Sequence, residues 1–397
     1  MAGNVGQSFY IAWRYLAFHK WRTAILVLSL SLIVALPLAV DRTIDRISWT
    51  LKSRAKDTPL LLGPRESSLD LVLSALYFIK SSPAGLTYAA VDAVERTQLA
   101  RAIPLRLGVE ARGYPVVGTD LDYIDFRQLK LAQGRLPALL GDCVLGATAA
   151  RQLRLAAGDT ITTNSKDFLN IAGAYPMRLN IVGVLASSHT PDDDGIFVDL
   201  KTMWVAEGIG HGHQDLTQDA SQSLILKQSG RSIAANAAVM EYQEVTPDNL
   251  SSYHFHGDQG SYPLTAVIVA PTDQRAATIL RGRFMESDAS YRLLLPSDAI
   301  DKLLNTVFRL NRLFQSAILV TGLATVGIAI LVFVLSAEMR RSEMATLHMM
   351  GSRRTIAFEL YGAEALIILG LCLVAAFTLA AGFEKILPWI FYRLLEG

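Results

Sequence analysis

The sequence predicts an integral membrane α-helical protein, with about three transmembrane helices and one large α+β extracytoplasmic domain. Three observations carry this. Of the 397 residues, 51% are hydrophobic, more than an ordinary soluble chain carries. The longest apolar stretches are gathered into uncharged runs near the two ends of the chain. Between them lies a long polar middle in which short β-rich segments recur between turn signals.

Residues 1–23 contain Trp13, Arg14, Tyr15, Phe18, Lys20, Trp21 and Arg22, the aromatic and basic mixture of an amphipathic helix on a cytoplasmic membrane face. Residues 24–40 (AILVLSLSLIVALPLAV) carry no charge and form the first span, near the lower length limit for crossing the hydrocarbon core. A cleaved signal peptide is the alternative reading of this run. Residues 41–298 form the extracytoplasmic domain. Strands are predicted near 115–118, 179–185, 195–198, 223–226 and 264–269, and helices over 69–79, 89–100, 147–155 and 271–284. Two subdomains are expected, on either side of a polar, histidine-rich stretch near 205–222.

Residues 299–315 place Ile300, Leu303, Leu304, Val307 and Phe314 at helical spacing, with charges elsewhere around the helix. This stalk helix is expected to run unbroken into the second span, residues 316–336. A rod of that kind would carry motion between domain and membrane. Residues 337–357 form a short loop holding Arg340, Arg341, Arg353 and Arg354, and its charge makes both the loop and the N-terminus cytoplasmic. The third span, 358–382, brings Glu359 and Glu364 near one membrane face. The tail, 383–397, is aromatic and amphipathic; it is expected to lie in the interface, with Pro388 interrupting any helix.

Lysine plus arginine (37) balance aspartate plus glutamate (36), which leaves no charge excess to suggest nucleic acid. Cys143 and Cys372 fall in regions of different character, so no disulfide is predicted. The dipeptide Gly-Lys does not occur, so the chain has no phosphate-cradling loop of the Gly-Lys-Ser/Thr kind.

Five of the seven histidines lie in the polar middle, four of them as His211-Gly212-His213 and His254-Phe255-His256. On a strand, residues two apart share a face, so each pair has the spacing to hold Zn²⁺ or another divalent metal such as Cu²⁺, with Asp215 or Asp258 as an oxygen ligand. Exposed loops also collect histidine without function. His189 beside Asp192-Asp193-Asp194, between Pro191 and Gly195, reads as a solvated turn. Ser53-Arg54-Ala55-Lys56 fits the Ser-x-x-Lys pattern of acyl-transfer enzymes without its companion motifs, and is read as chance.

The order of parts, anchor, large domain, stalk with second span, basic loop and third span, resembles the MacB/FtsX family of ABC permeases. The loop carries the likeness furthest: Glu338-Met339-Arg340-Arg341-Ser342-Glu343-Met344-Ala345-Thr346-Leu347-His348-Met349-Met350-Gly351-Ser352-Arg353-Arg354 is similar to the family segment that docks on the ATPase. A second likeness, to MacB-like periplasmic core domains, lies in Val117-Gly118-Thr119, Gly134-Arg135, Leu145-Gly146, Leu155 with Gly158-Asp159, and Val182-Gly183-Val184-Leu185. Family members usually have a fourth span; here the expectation is that it is missing or that the tail substitutes for it.

The resemblance implies a non-catalytic permease subunit in a bacterial inner membrane. It would couple ATP hydrolysis, with ATP and Mg²⁺ on a separate ABC ATPase, to movement of its periplasmic domain. Arg340, Arg341, Glu343, Thr346, Leu347, Gly351, Arg353 and Arg354 would form the ATPase-coupling element. Positive-inside bias alone explains the arginines, but neither Glu343 nor Gly351. A homodimer or a second permease, a periplasmic adaptor or binding protein, and membrane lipid are the further partners implied. Two other readings stay open: a non-transporting transmitter of the cell-division type that acts on a periplasmic partner, and a metal-sensing or metal-handling protein that uses the histidine pairs.

Overall fold

The computed structural model describes residues 5–65, 68–79, 85–164, 176–212, 225–229, 232–235, 243–286, 291–351 and 355–395. The chain divides into a helical unit, Met1–Trp49 with Leu304–Gly397, and a sheet unit, Thr50–Leu303.

The helical unit begins with α1 (Val5–Phe18) and α2 (Lys20–Lys56). The sheet unit supplies β1 (Leu60–Pro64), α3 (Ser68–Tyr77), β2 (Leu86–Thr87), α4 (Ala89–Glu95), β3 (Ala100–Ala111), β4 (Tyr114–Thr119), α5 (Leu121–Phe126), β5 (Leu131–Gly134), β6 (Asp142–Leu145), α6 (Ala147–Leu153), β7 (Thr160–Thr162) and β8 (Met177–Leu185). It continues with β9 (Ile196–Asp199), α7 (Leu200–Ala206), β10 (Gly210–Gly212), β11 (Ile225–Ser229), β12 (Ser232–Ala235), β13 (Gln243–Glu244), β14 (Tyr253–Phe255), β15 (Pro263–Leu264), β16 (Ala266–Pro271), α8 (Gln274–Glu286) and β17 (Tyr291–Leu294). The chain returns to helices with α9 (Pro296–Met339), α10 (Arg341–Met349) and α11 (Ile356–Leu395).

Among the described residues three helices are long and apolar enough to cross a membrane, and they contain the three predicted runs. The stalk and second run are one helix, α9, as the apolar spacing predicts. Two boundaries differ from expectation. The first apolar helix continues past residue 40 to Lys56, because Ile44, Leu51 and Ala55 extend a helical spacing through the charges Asp41, Arg42, Asp45 and Arg46. The third continues through Pro388 to Leu395. A proline removes one i to i−4 hydrogen bond, and helices of membrane-crossing character tolerate that gap.

Small residues bring α2 and α11 together. Ala35 and Ala39 on one helix and Ala376 and Ala380 on the other are all at most 1% exposed, a four-residue repeat on each partner that permits close backbone approach. The buried Ser31 hydroxyl donates to the Cys372 carbonyl across the same seam, at 3.1 Å. Against α11 lies α1, through Ala12, Leu360 and Ala363. At the far end of the first apolar run, Asp41 accepts from Asn311 Nδ2 at 2.8 Å and from Gln315 Nε2 at 2.6 Å.

In the sheet unit the main sheet has eleven strands in the order β13-β8-β6-β9-β4-β3-β16-β1-β17, with β5 and β7 also paired to β8. Both senses occur: β4 with β9 and β6 with β8 are parallel, while β3 is antiparallel to β4 and β16. Two hydrophobic cores share this sheet. One holds Val116, Cys143, Leu145, Leu179, Ile181 and Ile196; the other holds Leu60, Leu62, Val91, Trp204, Val267 and Leu280. Each such fully buried aliphatic side chain contributes about 1.5–3 kcal/mol relative to leaving it exposed. The two expected subdomains are thus two cores on one continuous sheet. β8 alternates as a strand with one buried face, Met177, Leu179, Ile181, Gly183 and Leu185 facing inward in turn.

The longest strand, β3, joins the two cores despite Pro104. Its pairing with β4 reaches only to Arg106 and Gly118, so the proline sits beyond that ladder, where its carbonyl accepts from the Thr119 hydroxyl at 2.8 Å. Predicted helix 89–100 ends early: α4 stops at Glu95, and Ala100 is already in β3.

Candidate functional site

The loop between the second and third spans contains a helix. α10 is closed by Gly351, whose φ of +90° is the left-handed backbone that ends helices, and whose N–H donates to the His348 carbonyl at 3.0 Å. Arg340, immediately before α10, is only 7% exposed. Its guanidinium donates to Glu364 Oε1 at 2.8 Å and lies over the Tyr15 ring, 3.7 Å from the centroid. It therefore ties the start of α10 to α1 and α11, where sequence alone gave it a place among exposed coupling residues.

The exposed surface of α10 and its flanks is carried by Met339, Arg341, Glu343, Thr346, Met349 and Met350. Leu347 lies on α10; Arg353 and Arg354 lie outside the described residues. Arg341 pairs with Glu338 at 2.8 Å across an exposed helical step, an ion pair worth little in stability.

A second constellation lies inside the sheet unit. At the end of α2, Arg54 reaches the turn Pro191–Asp194 and makes a two-pronged pair with Asp192, Nη1 to Oδ2 at 2.6 Å and Nη2 to Oδ1 at 2.8 Å. Tyr123 on α5 donates its hydroxyl to the same Oδ1 at 2.6 Å, and Arg54 Nε donates to the Leu76 carbonyl at 2.6 Å. Arg54, Asp192 and Tyr123 are 6%, 1% and 0% exposed. Burial pushes the Asp192 carboxyl up, but Arg54 and the Tyr123 hydroxyl more than offset it and hold the group below its ordinary value.

Asp193 is buried as well, and accepts from Ser187 Oγ, Ser188 Oγ and the Ser188 and His189 backbone N–H groups. The expected solvated turn is thus a buried anchor, since aspartate beside proline and glycine says nothing of a cation 138 residues away in the chain. Lys52 and Asp301 add an exposed pair at 3.2 Å between the α2 end and the α9 start.

The histidine pairs are partly brought together. β10 and β14 form an antiparallel ribbon in which His211 is the register partner of His254. The His254 and His256 rings lie 4.6 Å apart. Asp258 Oδ2 is turned back over Gly260, 2.9 Å from where a Cβ would stand there. His213 and Asp215 lie outside the described residues, and among the described residues no three His, Cys, Asp or Glu side chains form a metal-binding group.

Residues 65–242 match the family model of the MacB-like periplasmic core domain. The chain carries a MacB-like core domain. With three helices of membrane-crossing character beside that domain, the protein is a membrane protein with a large, MacB-like extracytoplasmic domain.

Two solved structures are similar. The periplasmic region of MacB from Actinobacillus actinomycetemcomitans is 12% identical, covering 62% of this chain and 92% of its own, with a TM-score of 0.35. The extracellular domain of the noncanonic ABC-type transporter YknZ from Gram-positive bacteria is 10% identical, covering 59% and 98%, with a TM-score of 0.31. At those scores neither carries an argument, and the assignment rests on the family match. No curated protein matches the chain.

The MacB-like domain begins, in the family match, after Arg54 and contains Tyr123 and Asp192. Sequence reading missed this trio. Its one available signal was Arg54 itself, a cation on the apolar-spaced face that Ile44, Leu51 and Ala55 continue beyond the first span.

Proposed function

We propose that the chain is the permease subunit of an ABC-type complex, with ATP hydrolysed on a separate ATPase that docks on α10. The observation that carries this is the seating of α10. A short helix between two membrane-crossing helices is fixed at its base by the buried Arg340–Glu364 pair, and presents Arg341, Glu343, Met349 and Met350 outward. Exposed methionines beside charges suit an adaptable protein–protein contact.

In this reading α10 and the N-terminus face the cytoplasm of a bacterial inner membrane and the MacB-like domain lies outside. The absence of a Gly-Lys dipeptide supports placing the nucleotide on another chain. α9 then transmits movement as one helix. A substrate would be exported or extracted by displacement of the outer domain, with no wide pore required.

The test is purification of the chain from its native membrane in mild detergent, beside a variant carrying Glu343→Lys and Met349→Glu. An ATPase with a phosphate-binding loop should accompany the wild type and be absent from the variant. Loss of the proposal would follow if no ATPase came with the wild type under conditions that keep other membrane complexes whole, or if the variant retained it.

A further inference from the structure

We propose a binding site for a membrane-dissolved amphiphilic amine, an alkyl chain ending in an ammonium group, in the cavity between α2, α9 and α11. The cavity is about 680 Å³, within the roughly 300–1,000 Å³ of small-molecule sites, and it lies wholly in the helical unit. Its walls include Leu30, Ile33 and Pro37 of α2, Leu319 and Leu323 of α9, and Ile368 of α11. Leu319 and Leu323 are 64% and 66% exposed on a helix of membrane-crossing character. The cavity therefore opens toward lipid, and its occupant enters from the bilayer.

The polar atoms select the head group. Asp41 is the one charged residue among those lining the cavity, and it stands at the end of the first apolar run. Asn311 Nδ2 and Gln315 Nε2 both donate to its Oδ1, which holds the carboxylate in place and leaves Oδ2 for a further donor. Pro37 has no N–H, so the Ile33 carbonyl lacks its helical donor, and both residues line the cavity. The lining thus offers acceptors and one negative charge, with no lysine or arginine beside them. A phosphate or carboxylate head is repelled there. An ammonium gains charge-assisted hydrogen bonds in a place poor in water.

The length of the cavity suits an extended chain. From Leu30 to Asp41, α2 rises about 16 Å, so an alkyl chain laid along it keeps its carbons against leucine and isoleucine while its nitrogen reaches the carboxylate. A carboxylate at the edge of hydrocarbon is costly unless it is paired or hydrogen-bonded, and an incoming cation supplies a counter-charge. The site is independent of the ATPase reading, since its occupancy is measured with no nucleotide and no partner chain present.

The experiment places the full chain in nanodiscs of phosphatidylcholine, a bilayer without net charge, and labels it with dodecylammonium carrying a photoreactive diazirine at mid-chain. Probes of the same chain ending in a hydroxyl or a carboxylate run beside it. Cross-linked peptides are mapped by mass spectrometry, and apparent affinities are read from competition with the unlabelled compounds. The amine should label lining peptides of α2, α9 and α11 saturably, and about 10-fold or more tightly than either other head group. Asp41→Asn keeps an oxygen for Asn311 and Gln315 but removes the charge, and should erase that preference; Asp41→Glu should restore most of it. The comparison of head groups on wild type needs no variant to fold. Equal labelling by all three probes, the pattern of an ordinary lipid tail, overturns the site. So does the absence of saturable labelling on these helices, as expected where a helix of a second copy fills the groove. An amine preference unchanged in Asp41→Asn overturns it as well.

Discussion

Replacing Asp192 by asparagine tests whether the end of α2 is held in the outer domain by a buried charge. The carboxylate accepts from Arg54 Nη1 and Nη2, the Tyr123 hydroxyl and the Thr190 hydroxyl, all between 2.6 and 2.9 Å. Asparagine keeps one acceptor oxygen and turns an amide donor toward groups that themselves donate. Arg54, 6% exposed, is then a cation with neither water nor counter-charge. Breaking one side of a buried pair in this way costs about 3–5 kcal/mol. For a folding unit the size of Thr50–Leu303, at roughly 2–4 °C per kcal/mol, the melting temperature should fall by about 10 °C.

The buried Trp204 provides the signal, in a chain whose other four of the five tryptophans are phenylalanine. A companion carrying Arg54→Met, Tyr123→Phe and Asp192→Leu removes the charges together and should recover most of the loss. A shift of less than about 2 °C for Asp192→Asn, under 1 kcal/mol on the same scale, would refute the clamp. A companion as unstable as the single variant would refute the attribution to an unpaired charge.

Three further outcomes follow from the same geometry. Asp120, whose carboxyl caps α5 by accepting from the Tyr123 N–H, is pushed up to about 6 by burial and by Asp122. The folded state therefore holds this proton more tightly than the unfolded chain, and stability should fall as pH rises from about 4 to 6. Asp120→Asn, which can still cap the helix, should abolish that fall in urea melts taken across the range. Cys143 is 0% exposed and burial pushes its thiol up, so in a Cys372→Ala background a thiol reagent should label it only as fast as the outer domain unfolds; rapid labelling of folded protein would contradict this. Ala376→Leu forces a large side chain into the alanine seam and should cost about 1–3 kcal/mol, read as earlier thermal aggregation in detergent, while the same change at the exposed Phe377 should be nearly neutral.

What the sequence made legible follows from the range of the signals. The apolar runs needed only local composition, and β4, β8 and β9 needed only a few β-branched residues between turns. β3 escaped because Arg101, Pro104, Arg106 and Gly108 break every local strand signature, although pairing on both edges holds it in place. The end of α2 escaped because charges at 41, 42, 45 and 46 mark the end of a membrane run without marking the end of a helix. At the candidate site, the loop pattern pointed to α10, but not to Arg340 being turned inward by Tyr15 and Glu364. The Arg54–Asp192 pair was invisible because each residue has an ordinary local explanation and only the fold brings them together. Pairing of the two histidine motifs was equally unreadable, since it depends on which strand lies beside which.

The placement of β1 has a consequence for biogenesis. All five of its residues are buried, and it pairs with β16 through Leu60 and Val269 and with β17 through Leu61 and Leu294. The first strand to emerge beyond the membrane therefore waits for the last two before either of its edges is satisfied. Closure across so many intervening residues is slow. Until then a wholly apolar segment stands unpaired, open to the wrong neighbour. Assembly of this domain should thus depend on a holding factor on the receiving side of the membrane, and chains truncated before β16 should be cleared by proteolysis rather than accumulate half folded.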